Sequence, residues 1–191
     1  MAGRIVRVSV KKIPASTAQD LIRPVCMRAL ITLAFAVFTT FWQDDTLTLL
    51  KISLAAFFVL GATAVWDYAK LGVVPDSLRG MLAVGASVWV LSGVAAVFVG
   101  GNTAAAVVAA VGFLGMGIAE LVGGLRSREE FVPARDHIIL GAVGTLTGVS
   151  LMVGSQLDPH GILGISGMGV IVMAVLLLIS GGGLIHDSKK S

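Results

Sequence analysis

Six apolar blocks run along this chain, each close to the length that crosses a hydrocarbon core, and they pair into three similar hairpins. Such a core takes about 20 residues of α-helix at about 1.5 Å per residue. The blocks cover residues 25–42, 47–66, 78–99, 103–122, 137–153 and 162–185. Within each hairpin the connection is short and polar, whereas the links between hairpins are longer and basic. The runs are continuous where barrel strands would alternate over about 10 residues, so helices are predicted. Composition agrees. With 56% hydrophobic and 13% charged residues and a mean hydropathy of +0.94, a chain of this size could not keep a soluble surface wet.

The predicted fold class is therefore an all-α integral membrane protein, with six transmembrane helices arranged as three parallel-repeat hairpins. Residues 1–24 form a basic N-terminal segment, 25–185 the membrane domain and 186–191 a short tail. The first block follows a polar segment, and the small-residue triplet Ala34-Phe35-Ala36 lies inside the apolar run instead of after it. It reads as a retained helix and not as a cleaved signal. One cysteine, Cys26, leaves no internal disulfide to form. It reads as an inert thiol, with juxtamembrane acylation the alternative.

Orientation follows from the basic residues. Arg4, Arg7, Lys11, Lys12, Arg23, Arg28, Lys70, Arg79, Arg126, Arg128, Arg135, Lys189 and Lys190 are 13 of the 14 Lys and Arg, and all fall at one set of helix ends. The opposite connections carry none. By the positive-inside rule both termini are expected to be cytoplasmic. The fourteenth cation, Lys51, lies about one turn into the second helix. It reads as an interfacial lysine that snorkels toward Asp44 or Asp45, or as a charge lining a polar cavity.

The hairpins repeat in register. Arg28 to Asp67 spans 39 residues and Arg79 to Glu120 spans 41. A third unit begins at Arg135 and ends near Ser180-Gly181 without an acid. Repeats of two helices re-enter the membrane in the same orientation, so the inverted repeats typical of rocking transporters are not expected here. An arginine opening each odd helix, a tight polar turn, a Gly- and Ala-rich return helix and an acid near its end resemble the HdeD-like family of bacterial membrane proteins, over roughly residues 25–185. That resemblance implies a six-helix inner-membrane protein with a role in acid or other stress and no enzymatic activity. The basic N-terminal segment stands outside the family pattern.

Ionisable groups within spans are candidate functional residues, because an unpaired charge in lipid costs several kcal/mol. The candidates are Arg28, Lys51, Asp67, Arg79 and Glu120. By the repeat, Asp67 and Glu120 lie at the depth of Arg28 and Arg79. They read as acid–arginine ties within or between hairpins, as a proton or ion site, or as a docking contact. A relay would need further protonatable groups toward the outer loops, where only Thr, Ser and Lys51 occur. His137, His160 and His186 lie apart in the sequence and read as single interfacial histidines. No ligand spacing for a metal is found, so neither a metal nor a cofactor is expected.

Trp42, Trp66 and Tyr68 read as interfacial anchors, and Trp89 as mid-membrane packing. Gly144 and Gly148 form a GxxxG that serves either packing within the chain or a face for a partner or a homo-oligomer. In the N-terminal segment, Ile5, Val6, Val8 and Val10 alternate loosely with polar residues, and a helix-like stretch covers 16–21. It is either a solvated tail that touches anionic lipid or an arm that docks on a membrane-protein partner. The net charge of +3 follows from topology and requires no nucleic acid. Two classes of function remain. One is a non-enzymatic protein acting through protein or lipid contacts, HdeD-like or an accessory subunit. The alternative is a small channel or transporter in which Lys51, Asp67 and Glu120 share a wet cavity.

Overall fold

A computed structural model describes residues 13–42 and 46–189. It contains six helices among them: α1 (Ala15–Phe41), α2 (Leu47–Ala69), α3 (Asp76–Phe98), α4 (Asn102–Ser127), α5 (Ala134–Val153) and α6 (Pro159–Ser188). All six are long and apolar enough to cross a membrane. Residues 1–12, which include the alternating Ile5–Val10 pattern, and Asp44 and Asp45, the expected counter-charges of Lys51, lie outside the described residues.

The helices extend past the apolar blocks at their polar ends. The largest difference is in α1, which starts at Ala15, ten residues before the expected span and inside the segment assigned to the N-terminal tail. Pro24 lies within it, and a proline removes one backbone hydrogen bond from a helix interior. Packing holds the helix together across that gap. Ala18, Leu21, Pro24 and Val25 are all buried, and Leu184 on α6 is buried with them. At 27 and 30 residues, α1 and α6 measure about 40 and 45 Å. Both outrun a hydrocarbon core of about 30 Å.

Each helix packs against the next in the chain and α1 packs against α6, so the six close into a ring. α2, α4 and α6 also touch one another across its middle. Packing around the ring is uneven, sparse between α1 and α2 and between α5 and α6, and closest between α4 and α5. Glycine explains the close pair. A Cβ on Gly141 would collide with the Leu121 backbone nitrogen, one on Gly148 would sit 2.8 Å from the Leu114 nitrogen, and one on Gly124 2.8 Å from the Ala134 oxygen. With no side chains between them, the two backbones meet, which is how helices associate where lipid offers no hydrophobic drive. Gly144 and Gly148 therefore face α4 within the chain and are buried there, so this GxxxG is not an open face for a partner.

The middle of the ring is filled by aromatic rings from four helices. Phe35 meets Phe57 at 4.6 Å between centroids, and Phe57, Phe58, Trp89 and Phe113 lie 5.3–5.9 Å apart in the contacts that join them. Such offset and edge contacts add to area burial. Trp89 is thus the packing residue its mid-membrane position predicts.

Candidate functional site

Next to this aromatic layer, toward the end of the bundle that carries the basic connections, lies a buried ionic cluster. α4 brings Glu120 inward two turns before its end at Ser127, and α1 brings Arg28 to meet it. The contact is bidentate, Arg28 Nη1 to Glu120 Oε1 at 2.5 Å and Nη2 to Oε2 at 3.0 Å. α5, in its first turn, adds His137, whose Nδ1 lies 2.9 Å from Glu120 Oε1. Glu120 is 1% exposed, and Arg28 and His137 are each 6% exposed. A planar guanidinium matches a carboxylate in this fork geometry. One glutamate thereby joins α1, α4 and α5, one helix from each hairpin.

The remaining helices complete the shell. The Arg28 guanidinium carbon sits 5.5 Å from the centroid of the Trp89 ring on α3, a cation–π arrangement that suits a desolvated arginine. The Tyr68 ring on α2 meets His137 edge-on at 4.9 Å. Ser180 on α6 donates to Asp136 Oδ2 at 2.5 Å. All six helices therefore contribute to one polar centre. Beside it is a small cavity, lined on its polar side by Arg28, Tyr68, Asp136, His137 and Ser180 and elsewhere by leucine, valine, proline and Ala64.

Of the five candidates, the structure brings together Arg28 and Glu120. Asp67 is exposed and takes no part. Its neighbour Tyr68 points inward instead, since one residue along a helix turns the side chain by about 100°. Arg79 is the fourth residue of α3 and is half-buried. It donates to the carbonyl oxygens of Leu71 and Val74, at 3.3 and 2.9 Å, and pairs with Asp76 at 2.9 Å. Arg28 and Arg79 thus sit in different surroundings. Arg28 is buried against Glu120 and Trp89, whereas Arg79, at the start of α3, turns to the carbonyls of the α2–α3 connection. Lys51 stands sixteen residues from Asp67, about 24 Å along α2.

Two sequence expectations are corrected. His137 is not a single interfacial histidine, since it is buried against Glu120. Tyr68 is not an interfacial anchor, since it is 5% exposed and packs on His137. Both positions lie near helix ends, where the sequence suggests an interface. The long ends of α1 and α6 cover them, as the lining of the cavity by Leu21 and Leu184 shows. A local signal for His137 existed: it follows Arg135-Asp136 at the entry of the third repeat, the place where the first two repeats carry arginine. Among the described residues no three His, Cys, Asp or Glu side chains stand close enough to share a metal ion.

The arrangement locks and neutralises. Glu120 is held by a bidentate cation and an imidazole, at a point where helices of all three hairpins meet. The chain matches no protein-family profile, no curated protein and no solved structure.

Proposed function

We propose that this chain is a non-enzymatic protein of a bacterial inner membrane that acts through protein or lipid contacts, as an HdeD-like stress protein or as an accessory subunit of a larger complex. The observation that carries the reading is the internal saturation of Glu120 by Arg28 and His137 under a layer of aromatic rings. Intramembrane charges that serve a solute path face a bundle interior holding water or the solute. Here Glu120 faces the arginine and histidine of the other two hairpins instead of an open path.

The channel alternative requires Lys51, Asp67 and Glu120 in a shared wet cavity. Their separation along α2 and the exposure of Asp67 speak against it. Thirteen of the 14 basic residues at one set of helix ends support cytoplasmic termini, and the parallel two-helix repeat supports a bundle with no alternating-access machinery.

The test is purification from native membranes in mild detergent, with mass spectrometry of what co-elutes and flux assays on the reconstituted protein. A stoichiometric partner that survives gel filtration supports the accessory reading, and a clean preparation without flux supports the free-standing one. Proton or ion flux that Glu120→Gln abolishes would overturn both. Reporter fusions after Ser188 check the orientation.

A further inference from the structure

The cavity beside the ionic cluster has chemistry that the contact reading does not use. It lies among α1, α2, α5 and α6, with Leu82 of α3 closing one side, under the sparsely packed α1–α2 and α5–α6 pairs. It leaves about 30 Å³ for the centre of a water molecule, and about 10–15 Å³ suffices to hold one. Two polar atoms of its lining, the Tyr68 hydroxyl and Arg28 Nε, are buried without a hydrogen-bond partner among the described residues. Both side chains are more than nine-tenths buried. A buried polar group left in that state is costly, and native proteins seldom leave one so.

We infer that this cavity is a hydration site, holding an ordered water that joins the Tyr68 hydroxyl and Arg28 Nε to the polar groups of α5 and α6. The donor set selects the occupant. Arg28 Nε can only donate, so whatever it meets must accept a hydrogen bond, and a cation cannot. An anion would meet the carboxylates of Glu120 and Asp136, of which only Glu120 is paired with Arg28. A neutral molecule that both donates and accepts fits: it accepts from Arg28 Nε, exchanges a bond with the Tyr68 hydroxyl and can donate to Asp136. Water meets its usual two to four partners in this lining, whereas a purely apolar cavity of this size would stay dry. The site goes beyond the proposed contact function and does not depend on it.

The chain has a single tyrosine, which makes the test specific. Infrared difference spectra of the purified protein, wild type minus Tyr68→Phe, are recorded in ordinary and in ¹⁸O-labelled water. The expected result is an internal-water O–H stretch that shifts with the isotope and is lost in the variant. The midpoint of thermal unfolding should also fall by about 2–4 °C, as for loss of one satisfied hydrogen bond. Ala64→Val, which narrows the cavity from its α2 wall, should remove the same band and serves if Tyr68→Phe does not fold. No isotope-sensitive band in the wild type, or a band retained in both variants, overturns the assignment. So does a Tyr68→Phe midpoint that is unchanged or raised, because deleting a dry, unpartnered hydroxyl relieves the protein.

Discussion

Removing one partner of the Arg28–Glu120 pair should be far more damaging than removing both, and the two single removals should differ. Glu120→Gln leaves a permanently charged guanidinium in a buried site. Its amide oxygen can accept from one Nη, but its NH₂ group faces the other donor. The contact loses its charge and one of two charge-assisted bonds, for a cost of about 3–5 kcal/mol. Arg28→Met leaves Glu120 with His137 alone, but a carboxyl group can take up a proton and become neutral, which arginine cannot. Its cost should be smaller, about 2–3 kcal/mol. Arg28→Met/Glu120→Gln removes both charges and leaves the amide a partner in His137, at a cost of about 1–1.5 kcal/mol. The coupling between the two sites is then at least about 3 kcal/mol. The assay is unfolding of the purified protein in mixed micelles by SDS titration, followed by tryptophan fluorescence, with Trp89 stacked on Arg28 as a local reporter. Additive single effects, or a Glu120→Gln cost under about 1 kcal/mol, would refute the view that this pair ties the bundle together.

Three further outcomes are expected from the same titration. His137→Phe keeps a ring against Tyr68 but loses the bond to Glu120, and should cost about 1.5–3 kcal/mol; a neutral result would remove His137 from the cluster. Gly141→Ala pushes α5 away from the α4 backbone and should cost about 1–3 kcal/mol, whereas Gly164→Ala, with nothing within 4 Å of the new methyl, should be neutral or stabilise by up to about 1 kcal/mol. Equal effects at the two glycines would count against the close α4–α5 contact. Asp67→Asn should stay within about 0.5 kcal/mol of wild type, while Arg79→Ala should cost about 1 kcal/mol through the two carbonyl bonds it releases; a large loss at Asp67 would mean that the repeat pairs its acids as their spacing suggests.

The sequence by itself determined the elements. Six spans followed from the length of the apolar blocks, because a backbone in lipid must satisfy its hydrogen bonds internally and only a helix does so within one segment. It also singled out Glu120 and Arg28, since charges inside such blocks are too costly to be incidental. The tertiary structure alone decided which charges meet. The repeat spacing favours Arg28 with Asp67 and Arg79 with Glu120, but which groups meet depends on which helix faces turn inward, and Asp67 faces out while Glu120 faces in. Arg28 lies on the buried face of α1 and meets Glu120 and Trp89 across the bundle, whereas Arg79 turns to the carbonyls of the α2–α3 connection. The inward turn of Tyr68 and the burial of His137 were likewise set by neighbouring helices, through the long ends of α1 and α6 that cover them. Hydropathy reports how a residue partitions between water and lipid; a third environment, the shared interior of six helices, exists only once they have packed.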